Sequence, residues 1–489
     1  MLTIGVDAGS SVVKAAIFDD TGNILKTASR SIAPSHPYPG ASEQDIHAVI
    51  DAVAQAIQEC AASSPATPDL LAITAQGDGL WLVDGDGDPV RPAILWSDTR
   101  ASDYVEEWFQ NGIAAAAFRR SGNVPFSGSQ AALLNALADA EPDSLNRAAT
   151  ADYCKDVLLQ AFTGARATDV SDASLPFLDQ RSRDYDEELV DLFRVRRWRH
   201  LLAPVERGSR SLHPLSIRGA ALTGLPVGTD VHTGPFDFPA TCIGGGLNES
   251  GNGLIAMGTT LACGVITDRL ITDVEPSGMT ISLRERDRWL RLLPAMAGMS
   301  VLDWFLPLIG IDYQELNALI ASGRPGAGGM ITLPMFSPSG ERAPFVDALA
   351  RGRLIGLSTN TTKADLARSL CEGIAYAARY CLETAGLATA ATVTLCGGGS
   401  RASAFRQLMA DVLGHPVLLG RQPETGARGA AIAALEAAGH TIDRNQWTAP
   451  DDEVAPNPAL RDLYDEGYRR YREELLSARG YWSGPALDT

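Results

Sequence analysis

Lysine is almost missing from this chain. Lys14, Lys26, Lys155 and Lys363 are the only four in 489 residues, and every other basic residue is arginine. With 41 basic against 59 acidic residues the formal charge is -18. That balance leaves no basic face for nucleic acid or an anionic membrane. An acidic protein can still hold an anion locally through backbone N–H groups, so net charge speaks to solubility and not to the site. Cysteine is scarce too: seven residues, an odd number, with no CxxC spacing. This suits buried thiols in a reducing compartment and offers no zinc site. No apolar run approaches membrane-spanning length, and the first residues, MLTIGVDAGSS, lack a basic stretch and meet an acid at Asp7. These absences together describe a cytoplasmic enzyme.

What is present is material for two cores. A chain of 489 residues with 45% hydrophobic content exceeds what one core usually organises. The opening LTIGVDAGSSVVKAAIFDDTGNIL reads as strand, glycine-containing turn, strand and second turn, and GLIAMGTTLACGVITD repeats the plan about 250 residues later. Two copies of one hairpin imply two similar domains facing each other. Helices accompany them. SEQDIHAVIDAVAQAIQEC carries Ile46, Val49, Ile50, Val53 and Ile57 on one face behind a capping-box-like start at Ser42 and Asp45. TKADLARSLCEGIAYAARYCLETA starts at Thr362 and Asp365 and turns Leu366, Leu370, Ile374 and Ala377 inward. The fold class is α/β. The glycine-rich GGGLNESGNG sets the boundary, giving domains 1–243 and 244–489. ALRDLYDEGYRRYREELL reads as a charged surface helix near the end.

Three glycine turns can carry phosphate chemistry. In DAGSSVVK, Asp7 ends a strand, Gly9 permits a tight turn, Ser10 and Ser11 offer hydroxyl and N–H groups, and Lys14 follows on the return strand. That is a cradle for phosphate oxygens and a metal-bound water, although the same residues also serve a plain β-hairpin. The second copy, Gly258, Thr259 and Thr260, tips the balance, because paired hydroxyl-rich hairpins can hold one polyphosphate. In VTLCGGGSRASAFRQLM an apolar strand runs into Gly398 and Gly399 and a helix begins near Ser403, a place for nucleotide phosphate or a flat base. The segment DGDGDP at 84–89 imitates a calcium loop, but Pro89 stands where glycine is needed and Leu95 where a bidentate Glu is needed. It reads as a hairpin turn. The seven histidines show no metal spacing.

These pieces, in this order and over nearly the whole chain, resemble the FGGY family of carbohydrate kinases. GERAPFVDALARGRLIGLSTNTTKADLARSLCEGIAYAAR is similar to the family's signature region, TGARATDVSDAS to a stretch of its first domain, and QPETGARGAAIAA to its closing nucleotide-side segment. The resemblance implies two duplicated actin/hexokinase-like, ribonuclease H-like ATPase domains with an interdomain cleft. It implies ATP and Mg²⁺, Asp7 reaching the metal through water, and Gly298 approaching the nucleotide. It also answers why GPFDFPATCIG sets an acid among aromatics: Asp237 stands where the family keeps the base that deprotonates the sugar hydroxyl. Such a base contributes roughly 10²–10⁴-fold, and Phe236, Phe238 and Pro239 would exclude water around it.

Substrate contacts are expected from Gln76, Gly77 and Asp78, then Trp96 and Asp98, since amides and carboxylates beside an indole suit a polyhydroxylated ligand. Lys155 and Asp156 in YCKDVL are a further suggestion. Gly77-Asp78 departs from the Met-His of xylulokinases and the Arg-Glu of glycerol kinases. AQGDGLWLVD and CKDVLLQAFTGARATDVSDAS look like the erythritol kinase and L-xylulose kinase branches instead. A small polyol or ketose of four or five carbons fits, with an acid that accepts hydrogen bonds from hydroxyls. Ala402 replaces a serine often found there and leaves Ser403 as the adjacent hydroxyl. A homodimer is common among relatives. The rival classes on this fold are a nucleotide-driven ATPase of the actin or heat-shock-70 kind and a sugar-sensing regulator without catalysis.

Overall fold

The computed structural model describes residues 1–206, 211–421 and 423–482; Gln422, which opens the closing segment QPETGARGAAIAA, lies outside them. In the first unit, β1 (Thr3–Ala8), β2 (Val12–Phe18) and β3 (Ile24–Ser31) form an antiparallel meander. Helix α1 (Ile46–Ala62) leads to β4 (Leu70–Ala75), which lies parallel to β1. After the short helices α2 (Cys154–Thr163) and α3 (Val170–Ala173) comes β5 (Asp230–Thr233), parallel to β4, and then α4 (Asp237–Gly244). The sheet order is therefore β5-β4-β1-β2-β3, with a sixth strand of two residues, His213–Pro214, antiparallel beside β5.

Both β1 and β4 are buried along almost their whole length, as near-continuous apolar runs with helices over the sheet must be. The inward face of α1 is the one its periodicity sets out, with Ile46, Val49, Ile50, Val53 and Ile57 all buried. Its start differs. Asp45 is the cap, its side chain accepting from the Ala48 backbone, and Ser42 lies outside the helix.

The second unit repeats the order. β6 (Gly253–Met257) and β7 (Leu261–Thr267) make the antiparallel hairpin, and β8 (Trp289–Ala295) lies beside β7. Helices α5 (Met299–Leu308) and α6 (Lys363–Ala385) precede β9 (Val393–Cys396), parallel to β6. Helix α7 (Ser403–Leu413) then leads to β10 (Val417–Leu419), parallel to β9. Within a seven-stranded sheet the five strands β10-β9-β6-β7-β8 follow the same order as β5-β4-β1-β2-β3. At α6 the capping box is complete, Thr362 and Asp365 each accepting the other's backbone N–H.

The units interleave along the chain, where the sequence suggests one cut at 243/244. The first comprises 1–248, 268–290 and 421–449, and the second the segments between and after them. Helix α8 (Thr425–Ala437) accordingly belongs to the first unit. It packs backbone to backbone: a Cβ on Gly429 would lie 1.8 Å from the Ala240 carbonyl oxygen, and one on Gly5 would lie 2.2 Å from that of Ala427. Helix α9 (Arg461–Trp482) is charged on one side, but it is not only a surface element. Tyr464, Tyr468, Tyr471, Leu475, Ala478 and Trp482 are buried in the core of the second unit. No described helix is long and apolar enough to cross a membrane.

Candidate active site

Three neighbouring parallel strands of the first unit, β1, β4 and β5, finish at the same end of the sheet. Immediately beyond them lie Gly9–Ser11, Gln76–Asp78 and Gly234–Asp237. Loops at the carboxyl ends of parallel strands are where ligands of open α/β sheets bind. The order of strands thus brings together residues more than two hundred positions apart.

Asp7 is the penultimate residue of β1 and pairs in register with Lys14 on β2. The Lys14 ammonium lies 3.6 Å from Glu424, which caps α8 in a left-handed conformation. Gly426 in the first turn of α8 is the floor under Asp7: a Cβ there would come within 2.3 Å of Asp7 Oδ2. In the turn itself the Gly9 N–H donates to the Val12 carbonyl at 3.1 Å, while Ser11 is exposed. Gln44 ties this turn to the next loop, donating to the Ser10 carbonyl at 2.8 Å and accepting from Gln76 Nε2 at 2.9 Å. The other oxygen of that amide pair, Gln76 Oε1, is buried without a hydrogen-bond partner among the described residues.

Asp237 is the first residue of α4, behind an extended Phe236. Thr74 donates to the Pro235 carbonyl at 2.6 Å, and a side chain at Gly77 would strike the Phe236 ring at 2.6 Å. Only glycine at 77 lets the two loops close on each other. Phe236 and Pro239 are buried, and Asp237 and Phe238 are half-buried. Burial pushes the Asp237 carboxyl up to about 7, with the negative charge of Asp7 adding to the effect. Asp7 is pushed up to about 6 by burial, against the pull of Lys14 and with a contribution from Glu424. Asp7 and Asp237 thus lie at the same end of the sheet, both with raised pKa.

The remaining substrate-side residues divide. Asp78 is buried in a left-handed conformation with φ 57, and Trp96 is 38% exposed beyond it. Asp98 is fully buried and both its oxygens are engaged, by the Arg100 guanidinium at 2.8–2.9 Å and by the Ser42 N–H at 2.7 Å. Its carboxylate ties the Ser42 backbone to the Arg100 side chain. Lys155 is fully buried, with Asp156 at 2.5 Å and Asp169 and Asp172 each at 3.1 Å. At 84–89, Asp84 accepts the N–H groups of Asp86 and Asp88, closing the hairpin turn. Among the described residues no group of three or more His, Cys, Asp or Glu could hold a metal ion.

In the second unit the hairpin turn between β6 and β7 exposes Gly258 and Thr259, with Thr260 half-buried. Gly298, at the start of α5, is buried under it: a Cβ would lie 2.3 Å from the Thr259 carbonyl oxygen. The Met299 and Ser300 N–H groups donate to the carbonyls of Gly258 and Thr259, at 2.9 and 3.2 Å. The adjacent parallel strand β9 is followed by Gly397 at φ 90, and Gly398 meets open space while Gly399 packs on Met299. Ser403 opens α7, exposed, and the Ala404 N–H one residue on is taken by Asn317 at 2.9 Å. Gly258–Thr260, Gly298 and Gly398–Gly399 thus share one end of the second sheet.

Two sheets of one topology, each ending in a glycine–hydroxyl hairpin, define a duplicated ATPase fold of the actin and hexokinase kind. The family description of the N-terminal domain of FGGY carbohydrate kinases matches residues 2–244, and that of the C-terminal domain matches 253–438. The chain belongs to the FGGY family of carbohydrate kinases, and it is a sugar kinase with ATP as the phosphoryl donor. It is similar to an erythritol kinase from Brucella abortus, 32% identical over 98% of this chain and 97% of that protein. It is also similar to an L-xylulose/3-keto-L-gulonate kinase from Escherichia coli, 26% identical over 98% and 97% of the two chains. The crystal structure of xylulose kinase from Rhodospirillum rubrum superposes with a TM-score of 0.91 at 27% identity, covering 99% of this chain and all (100%) of that one.

Gln44, Glu424 and Gly426 are absent from the set that sequence reasoning singles out. Gln44 and Gln76 are 32 residues apart with no shared motif, so nothing local marks them. Glu424 and Gly426 do lie in the segment similar to the family's closing nucleotide-side stretch, and that likeness was the available signal.

Proposed function

We propose that the protein transfers the γ-phosphoryl group of ATP to a hydroxyl of a polyol of four or five carbons, with Asp237 as general base. The observation that carries this reading is the convergence of Asp7, the Gln76–Asp78 loop and Asp237 on adjacent strand ends. Asp78, the free oxygen of Gln76 and ionised Asp237 present acceptors, and a polyol is a row of hydroxyl donors. The similarity to an erythritol kinase supports a polyol, and the similarity to L-xylulose kinases makes a ketopentose the second choice.

The roles divide between the units. In the first, Asp237 accepts the proton from the attacking hydroxyl, which lies within hydrogen-bond reach when the acceptor is seated. Gly9, Ser10, Ser11 and Lys14 offer N–H, hydroxyl and ammonium groups to phosphate oxygens. In the second, Gly258, Thr259 and Thr260 do the same, and Gly298, Gly398, Gly399 and Ser403 give the nucleotide a surface without side chains in the way. Phosphoryl transfer demands mostly positioning and charge neutralisation. Asp7 is the residue that would hold Mg²⁺, through water; an ion bound largely by phosphates and waters needs few protein carboxylates, which suits this donor set. Mg²⁺ would supply charge neutralisation across the phosphate oxygens. A cytoplasmic setting accords with ATP as donor.

The test is ADP release measured over erythritol, threitol, ribitol, xylitol, glycerol and the ketopentoses, with Asp237→Asn as control. A tetritol or pentitol turning over fastest supports the proposal. Fastest turnover on a ketopentose moves the substrate to the second choice, and full activity in Asp237→Asn removes the base assignment.

A further inference from the structure

We propose that Ser171 is a positioning residue for Asp237, fixed in turn by the buried Lys155 cluster through Asp169. The inference rests on Asp237 being the base. Its ground is a chain of contacts in the first unit that the catalytic roles above do not use.

Helix α4 has no side-chain cap of its own, and Pro239 occupies the third position, where a capping box would place Glu or Gln. The N–H of Phe236, the residue directly before Asp237, is buried and needs an acceptor from elsewhere. Ser171 Oγ supplies it at 3.1 Å, from 65 positions away in the chain. The hydroxyl is not free to turn, because it donates to Asp169 Oδ1 at 2.9 Å while Asp169 Oδ2 accepts the Ser171 N–H at 3.0 Å. With its proton committed to Asp169, its lone pair faces Phe236.

Asp169 is itself anchored. The Lys155 ammonium, fully buried on α2, lies 3.1 Å from the same Oδ1 and is gripped on its other sides by Asp156 and Asp172. Three carboxylates around one buried ammonium are a costly arrangement, and replacing such ionic groups by apolar ones is often neutral for stability. Here the cluster has a geometric product: a rigid acceptor under the backbone that carries Asp237. The neighbouring Thr74 bond to the Pro235 carbonyl holds the same turn from the sheet side. Misplacing a reacting group by about 1 Å can cost on the order of 10²-fold in rate, so a single anchoring bond is enough to show.

The test uses the full chain with Ser171→Ala, Asp237→Asn and the double variant. Rates are measured by transfer from γ-labelled ATP to the fastest acceptor among erythritol, ribitol, xylitol and L-xylulose. Ser171→Ala is expected to lower kcat about tenfold or more, with KM for ATP and acceptor within about twofold. In the Asp237→Asn background the same change is expected to alter the residual rate less than about twofold, since residues acting as one unit are not additive. If Ser171→Ala melts several degrees early, Ser171→Cys, near in volume but a weak acceptor, carries the same comparison. A kcat within twofold of native overturns the proposal. So does an equal loss in both backgrounds, which marks Ser171 as a general support of the fold. Full activity in Asp237→Asn alone breaks the base assignment instead, a result separate from either.

Discussion

The proposed base, Asp237, can accept a proton only when ionised, and its pKa raised to about 7 makes that a pH-dependent condition. The kcat profile is expected to rise with pH through about 7 and to level off above it; a flat profile between pH 5.5 and 8 would contradict this. Asp237→Asn is expected to fold normally and lose about 10²–10⁴-fold in kcat. Stability follows the same proton. The folded protein keeps it between the ordinary carboxylate value and about 7 while the unfolded chain has released it, so this group's contribution to stability is full at low pH and drains as pH rises through that window. Asn in its place is therefore expected to raise the melting temperature more at pH 8 than at pH 5. Gly426→Ala tests the floor under Asp7. The added methyl would displace a side-chain oxygen and not backbone, so the expected result is a normal melting temperature with a several-fold higher KM for ATP or lower kcat. At this scale the sequence is legible where a residue has one local job, as at Asp84, which closes the 84–89 turn. It is less legible at Asp98, whose oxygens go to Arg100 two residues on and also to the Ser42 N–H from a loop far back in the chain.

Among elements, the two hairpins and the long amphipathic helices can be read because turn chemistry and the 3.6-residue period are local properties. The start of α1 is misjudged by three residues because Ser42 and Asp45 offer equally good caps, and Asp98 draws the Ser42 backbone away from the helix. The tail helix α9 looks like a solvated element because its charges dominate. Its tyrosines find partners only in the folded unit, Tyr464 in the Arg368–Glu372 pair and Tyr468 on Glu383. The packing of α4 on α8 is invisible in the sequence and stringent in the structure. Gly429→Ala would drive a methyl into the backbone of Ala240 and is expected to cost about 1–3 kcal/mol, seen as a lower melting temperature. An unchanged melting temperature would mean that the two helices can part at little cost.

For the molecule as a whole, the charge of -18 opposes the approach of any nucleotide polyanion, while a neutral polyol feels none of it. Raising ionic strength from about 0.01 to 0.1 M shortens the Debye length from about 30 to 10 Å. KM for ATP is then expected to fall while KM for the acceptor stays level. A KM for ATP that climbs with salt would show that Lys14 and its neighbours outweigh the global field.

The sharing of segments between units also dictates an order of events during synthesis. A ribosome making this chain has released the whole first family domain, 2–244, long before residues 421–449 emerge. Until then Gly5, Gly244 and the apolar strip of Ala16 and Phe18 on β2 and Leu70 and Ala72 on β4 lack the helix that covers them. The amino-terminal half must wait, partly dressed, while almost the entire second sheet is translated. A gene cut at the family boundary is thus expected to yield a sticky, chaperone-bound fragment from its first part, recovered only when the later stretch is co-expressed with it.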